Sequence, residues 1–196
     1  MIYKLLIACT LLLSACSGSQ EEKSPSHIIT DNNEFTTQEG LDLNAKGIEA
    51  GKVGDWNQAR DYFNEGLSHE PQNVTLLSNL GNVEMLSGNT DEALKIYKKC
   101  IELDSAYYNS YLNCSRILYD IGDQSGVIEY SEKVLRASDE PSQLGVAHYM
   151  LAKVYLDQKK CDSAQLHVRK SLEFITASKV DPTQTELLQQ KINDCQ

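Results

Sequence analysis

The feature that most narrows what this chain can fold into is that it repeats itself. Gly54-x-Trp56-x-x-Ala59-x-x-x-Phe63-x-x-Gly66-Leu67 runs in step with Gly88-x-Thr90-x-x-Ala93-x-x-x-Tyr97-x-x-Cys100-Ile101. The offset is 34 residues, and Leu43 and Gly47 match Leu77 and Gly81 at the same step. One step further, Gly122 and Val127 stand where Gly88 and Ala93 stood, Ser115 replaces Gly81 and Ser131 replaces Tyr97. A fourth copy, displaced by three residues, keeps Leu151-Ala152-x-x-Tyr155, Ala164, Val168 and Ser171-Leu172; the insertion is assigned to Asp139–Gly145. A fixed period of this length predicts an array of like units, none able to bury its apolar face alone.

Within each unit the apolar spacing is helical. Gly47, Gly81, Ser115 and Ala152 are small where a first helix (A) crosses a second (B), and Ala59, Ala93 and Ala164 are the small partners on B. Phe63, Tyr97, Leu43, Leu77, Tyr111, Leu151 and Tyr155 fill the space around the crossings. Start signals agree: Thr36-x-x-Glu39, Asp55-x-x-Gln58 and Asn89-x-x-Glu92 read as capping boxes, Asp123 as a cap, and Asp181-Pro182 as a cap before a first-turn proline.

These motifs resemble the tetratricopeptide repeat over about residues 36–176. The resemblance implies an all-α fold: a right-handed superhelix of about four helix-turn-helix repeats (about 40–73, 74–107, 108–141 and 145–178) plus a C-terminal capping helix, 182–194, with Leu187, Leu188 and Ile192 on its inner side. Residues 36–196 form that domain. It also implies a concave face of A helices that takes a protein or peptide. By position in the repeat that face carries Asn44, then Asn79 and Asn82, then Asn109, Asn113, Arg116 and Tyr119, then Tyr149 and Lys153. An asparagine amide both donates to and accepts from an extended backbone. Arg116 and Lys153 suit a carboxylate, and the tyrosines give rigid apolar contact. Chaperone-binding members clamp a C-terminal carboxylate with a lysine/asparagine set; Asn79 matches it but Asn44, Ile48, Asn109 and Asn113 supply no base, so that clamp is not predicted.

The topology places Cys195, at the end of the capping helix, near Cys161 at the turn opening the last B helix, and a disulfide is favoured there. Cys100 and Cys114 flank a B-to-A turn and face the core as thiols or as a bond. His148 and His167 fall near each other in the fourth repeat, not far from Cys161; packed or surface histidines explain them as well as a metal does. Gly47-x-x-x-Gly51-Lys52 lacks phosphate-loop spacing. No catalytic residue, metal or cofactor is assigned. The alternatives are a self-associating structural lipoprotein and a metal-binding or enzymatic repeat protein.

The N-terminus reads as a targeting segment. Lys4 precedes the apolar run Leu5–Leu13, too short to span a bilayer as a mature helix, and Leu13-Ser14-Ala15-Cys16 resembles the bacterial lipobox. That implies a signal peptide over 1–15, lipid on Cys16, and a polar tether over 16–35. Ser17, in place of a retention aspartate, leans the destination to the outer membrane of a bacterial envelope. The net charge of −10 argues against nucleic acid as partner.

Overall fold

A computed structural model describes residues 35–178 and 181–195, and the signal segment, Cys16 and the tether lie outside them. Among the described residues the helices are α1 (Gln38–Lys52), α2 (Trp56–His69), α3 (Val74–Leu86), α4 (Thr90–Leu103), α5 (Tyr108–Asp120), α6 (Gln124–Ala137), α7 (Pro141–Asp157), α8 (Cys161–Ala177) and α9 (Thr183–Asn193), with no strand. Odd and even helices pair as A and B of successive repeats, and each pair packs on the next. No described helix is long and apolar enough to cross a membrane.

The crossings explain the period. A Cβ on Gly47 would lie 2.5 Å from Cε1 of Phe63, and one on Gly81 2.7 Å from Cε1 of Tyr97. Glycine on A therefore lets a whole aromatic ring on B reach the helix backbone, and burying each ring contributes about 2–3 kcal/mol. The third and fourth repeats solve the same crossing with smaller pairs. Ser115 meets Ser131, Oγ to Oγ at 3.4 Å, and Ala152 shares a core cluster with Val168.

The A-to-B turns need a left-handed residue. Gly54, Gly88 and Gly122 supply it at φ +78°, +86° and +83°. In the fourth repeat Lys159 takes that place at φ 56°, where a Cβ is disfavoured.

Several local expectations are corrected. The first cap is Thr37, whose hydroxyl accepts from Gly40 N at 3.0 Å, not Thr36. Asn89 is the N-cap of α4 but its side chain makes no capping bond, and its amide donates instead to Glu84 Oε2 at 2.6 Å. Most of the insertion at Asp139–Gly145 is helical: Pro141 opens α7, which runs 17 residues against 13 in α3 and α5. The fourth repeat thus begins about one helical turn earlier than residue 145. Gly145 lies inside that added turn, and its carbonyl accepts from Ser171 Oγ at 2.8 Å. The capping helix starts at Thr183 and buries Leu188 and Ile192 but leaves Leu187 47% exposed.

Candidate functional site

The A-helix side differs along its length. In the first two repeats it is closed. Asn44, Asn79 and Asn82 are only 2%, 1% and 4% exposed. These amides are engaged by neighbouring helices: Asn79 Nδ2 donates to Asn44 Oδ1 on the adjacent A helix at 2.9 Å, and Tyr97 OH on the paired B helix donates to Asn82 Oδ1 at 2.6 Å. Thr75 and Ser78 on the same face of α3 are fully buried. The expectation that Asn44, Asn79 and Asn82 line an open groove is therefore corrected. Short polar side chains stand there because they let helices pack: these bonds of the three amides are internal, and Asn79 Oδ1 and Ser78 Oγ are buried without a hydrogen-bond partner among the described residues.

The network rises to the surface in the third repeat. Asn113 Nδ2 donates to Asn82 Oδ1 at 3.4 Å, and Arg116 Nη2 donates to Asn113 Oδ1 at 2.6 Å. A buried amide thus orients a half-buried guanidinium through one intermediate. Asn109 accepts from Gln143 Nε2 at 3.3 Å.

One turn beyond Arg116 comes Tyr119, and across from it Tyr149 and Lys153 on α7. The Lys153 ammonium lies 3.7 Å from the Tyr119 ring centroid and 5.8 Å from that of Tyr149, a cation–π arrangement over two rings. Burial, with a hydrogen bond to the Asp157 carboxylate, pushes the Tyr119 phenol well above its ordinary range; burial alone raises Tyr149. Both rings stay neutral. The structure therefore gathers Asn113, Arg116, Tyr119, Tyr149 and Lys153 on α5 and α7 and separates them from the buried asparagines of α1 and α3.

Several polar residues outside the expected site organise the fold. Arg60 Nη2 meets Glu84 Oε2 at 3.1 Å across α2 and α3. Glu70, 7% exposed, takes the backbone N–H of Thr36 (3.1 Å) and Thr37 (2.9 Å), the Thr37 hydroxyl (2.7 Å) and the Asn73 amide (2.9 Å). Burial opposes its charge, but those donors outweigh it and hold the carboxyl at about 2. Gln158 Nε2 donates to Gln124 Oε1 at 3.0 Å. The only sequence signal for the Gln pair is that both glutamines stand 34 residues apart.

Cys161 and Cys195 form a disulfide with Cα atoms 5.7 Å apart, joining the start of α8 to the end of α9. Cys100 and Cys114 are buried free thiols, and burial pushes them up to about 11 and about 12. His148 and His167 meet, Nδ1 to Nδ1, at 2.9 Å. Among the described residues no group of three or more His, Cys, Asp or Glu converges to hold a metal ion.

Comparison with known proteins follows the same lines. The tetratricopeptide repeat family matches residues 74–107 by sequence, and solved helical-repeat structures superpose on most of the chain. The fold is a tetratricopeptide-repeat superhelix. A crystal structure of MamA protein is similar at TM-score 0.60 and 20% identity, over 80% of this chain and 87% of that one. MamA from Desulfovibrio magneticus RS-1 is similar at TM-score 0.62 and 14% identity, over 82% and 97%. The first repeat domain of Spaghetti (RPAP3), bound to HSP90 peptide SRMEEVD, is similar at TM-score 0.56 and 19% identity, over 64% and 98%. No curated protein matches this chain by sequence. Within the tetratricopeptide-repeat superhelix, the matched segment is the repeat α3–α4.

Proposed function

We propose that this chain is a lipid-anchored adaptor of the bacterial cell envelope that binds a protein segment on the A-helix side of its third and fourth repeats. It acts by binding, not by catalysis. The observation that carries the reading is the cluster of Arg116, Tyr119, Tyr149 and Lys153: two cations and two rigid rings on neighbouring A helices, in a chain of net charge −10. A partner segment carrying a carboxylate beside an apolar side chain fits that set. A domain of the same fold holds a peptide in the RPAP3 structure, which makes peptide capture a mode this architecture supports. The anchor rests on the lipobox at Leu13–Cys16.

The test places a photo-crosslinking amino acid at Tyr119 or Tyr149 in cells, with Leu166 on α8 as the control position. One partner should crosslink from Tyr119 and Tyr149, not from Leu166, and be lost in Arg116→Ala/Lys153→Ala. Crosslinking that is equal from all positions, or unchanged in the double variant, rejects this face. Cys16→Ala should release the protein from membranes; a variant that stays membrane-bound rejects the anchor separately.

A further inference from the structure

The repeat makes one pair of positions directly comparable in all four units. Leu43 and Tyr62, Leu77 and Ile96, Tyr111 and Tyr130, and His148 and His167 occupy matching positions on A and B, allowing for the three-residue insertion. In the second repeat Leu77 and Ile96 share a core cluster. In the third, Tyr111 and Tyr130 meet edge to face at 5.7 Å. The fold asks of this position only apolar bulk. The fourth repeat places two imidazoles there and turns their ring nitrogens toward each other, Nδ1 to Nδ1 at 2.9 Å.

We propose that the His148–His167 pair is a two-imidazole site for a late transition metal of the Zn2+ type, clamped between α7 and α8 through both Nδ1 atoms. Neutral imidazole is the form that ligates such metals. Burial, then the facing ring and Lys170, lowers His148 to about 4, and burial with Lys170 lowers His167, so both rings are neutral at pH 7. Without a metal, one Nδ1 carries the proton that the other accepts. Moving that proton to Nε2 of the same ring frees both lone pairs, with no proton lost from the protein. Tetrahedral Zn–N bonds of about 2.0–2.1 Å set the two nitrogens roughly 3.3 Å apart, so the rings open by a few tenths of an ångström.

The rings are already held for this. Phe174 stacks on His148 at 5.8 Å with planes 13° apart, and Tyr155 flanks His167 at 5.3 Å. His148 is 6% exposed and His167 is half-buried, so a metal enters from the His167 side. There the charge of Glu132 on α6 favours a cation and that of Lys170 on α8 opposes it. With two protein ligands, water completes the coordination shell.

The test is calorimetric titration of the full chain with Zn2+ at pH 7.5, beside His148→Tyr/His167→Tyr, which installs the ring pair of the third repeat. The expected result is one saturable Zn2+ per chain, a rise in Tm with Zn2+, and loss of both in the double variant. No saturable uptake up to about 100 µM Zn2+, or uptake retained in the double variant, overturns the proposal. If the double variant does not fold, nitrogen-15 NMR of the wild-type chain decides. Zn2+ must shift Nδ1 of both His148 and His167, and a shift confined to Nε2 or to other histidines rejects the site.

Discussion

The first two repeats and the last two are built to one plan and held by different chemistry. In the first pair, glycines admit Phe63 and Tyr97 to the helix backbones, glycines make the turns, and buried amides and carboxylates tie helix to helix. In the second pair the crossings are Ser–Ser and Ala–Val, one turn is a lysine, and the added ties are a histidine pair and a disulfide. The first half spends its polar groups inward. The second presents cations and rings outward. The difference teaches that one repeat geometry can carry buried polar ties at one end and cations beside aromatic rings at the other, provided the small residue at each crossing is kept.

Three measurements break or sharpen this contrast. The largest effect is expected at the disulfide. Cys195→Ser should cost about 3–4 kcal/mol of restraint on α9, seen as faster hydrogen exchange in α9 while α1–α4 keep their protection. Equal loosening of α1–α4 would show the halves to be one cooperative unit.

Next comes acid. His148 and His167 titrate lower in the folded chain than in the unfolded one, so the unfolded state binds more protons between the ordinary histidine range and about 4. Stability from that pair is complete above roughly pH 6.5 and falls as pH drops toward 4. Glu70, held at about 2, keeps its contribution until pH falls below the ordinary carboxylate range, and loses it toward pH 2. Exchange or NMR across pH 7 to 4 should therefore loosen α7–α8 first. Simultaneous loosening of α1–α3 contradicts the contrast.

The smallest effect is at the turns. Lys159→Gly should stabilise by about 1 kcal/mol, and Gly122→Lys should cost about as much. Thermal unfolding of the two variants checks both signs.

The helical array was legible because its cause is local and periodic: a small residue at Gly47 or Gly81 must recur wherever two helices touch. The Cys161–Cys195 proximity was legible for a related reason, since pairing the helices in order brings the last helix back to the preceding turn. Three of the nine candidate-face residues were misplaced. Position in the repeat placed Asn44, Asn79 and Asn82 on the A-helix side, but how far neighbouring A helices close over that side depends on packing between repeats. The extra turn of α7 was hidden because the repeat register shows where residues are added and not their conformation; Pro141 suits a first helical turn, and Gly145 is small because Ile175 sits against it.

Glu70 has a mechanical consequence. It grips the backbone at Thr36 and Thr37, where the preceding segment joins α1, and it is held by Asn73 at the start of α3. A pull on the N-terminus is thus shared between the first and second repeats before it can peel α1 away. Tension along the leading segment would be borne first by the repeats nearest the pull.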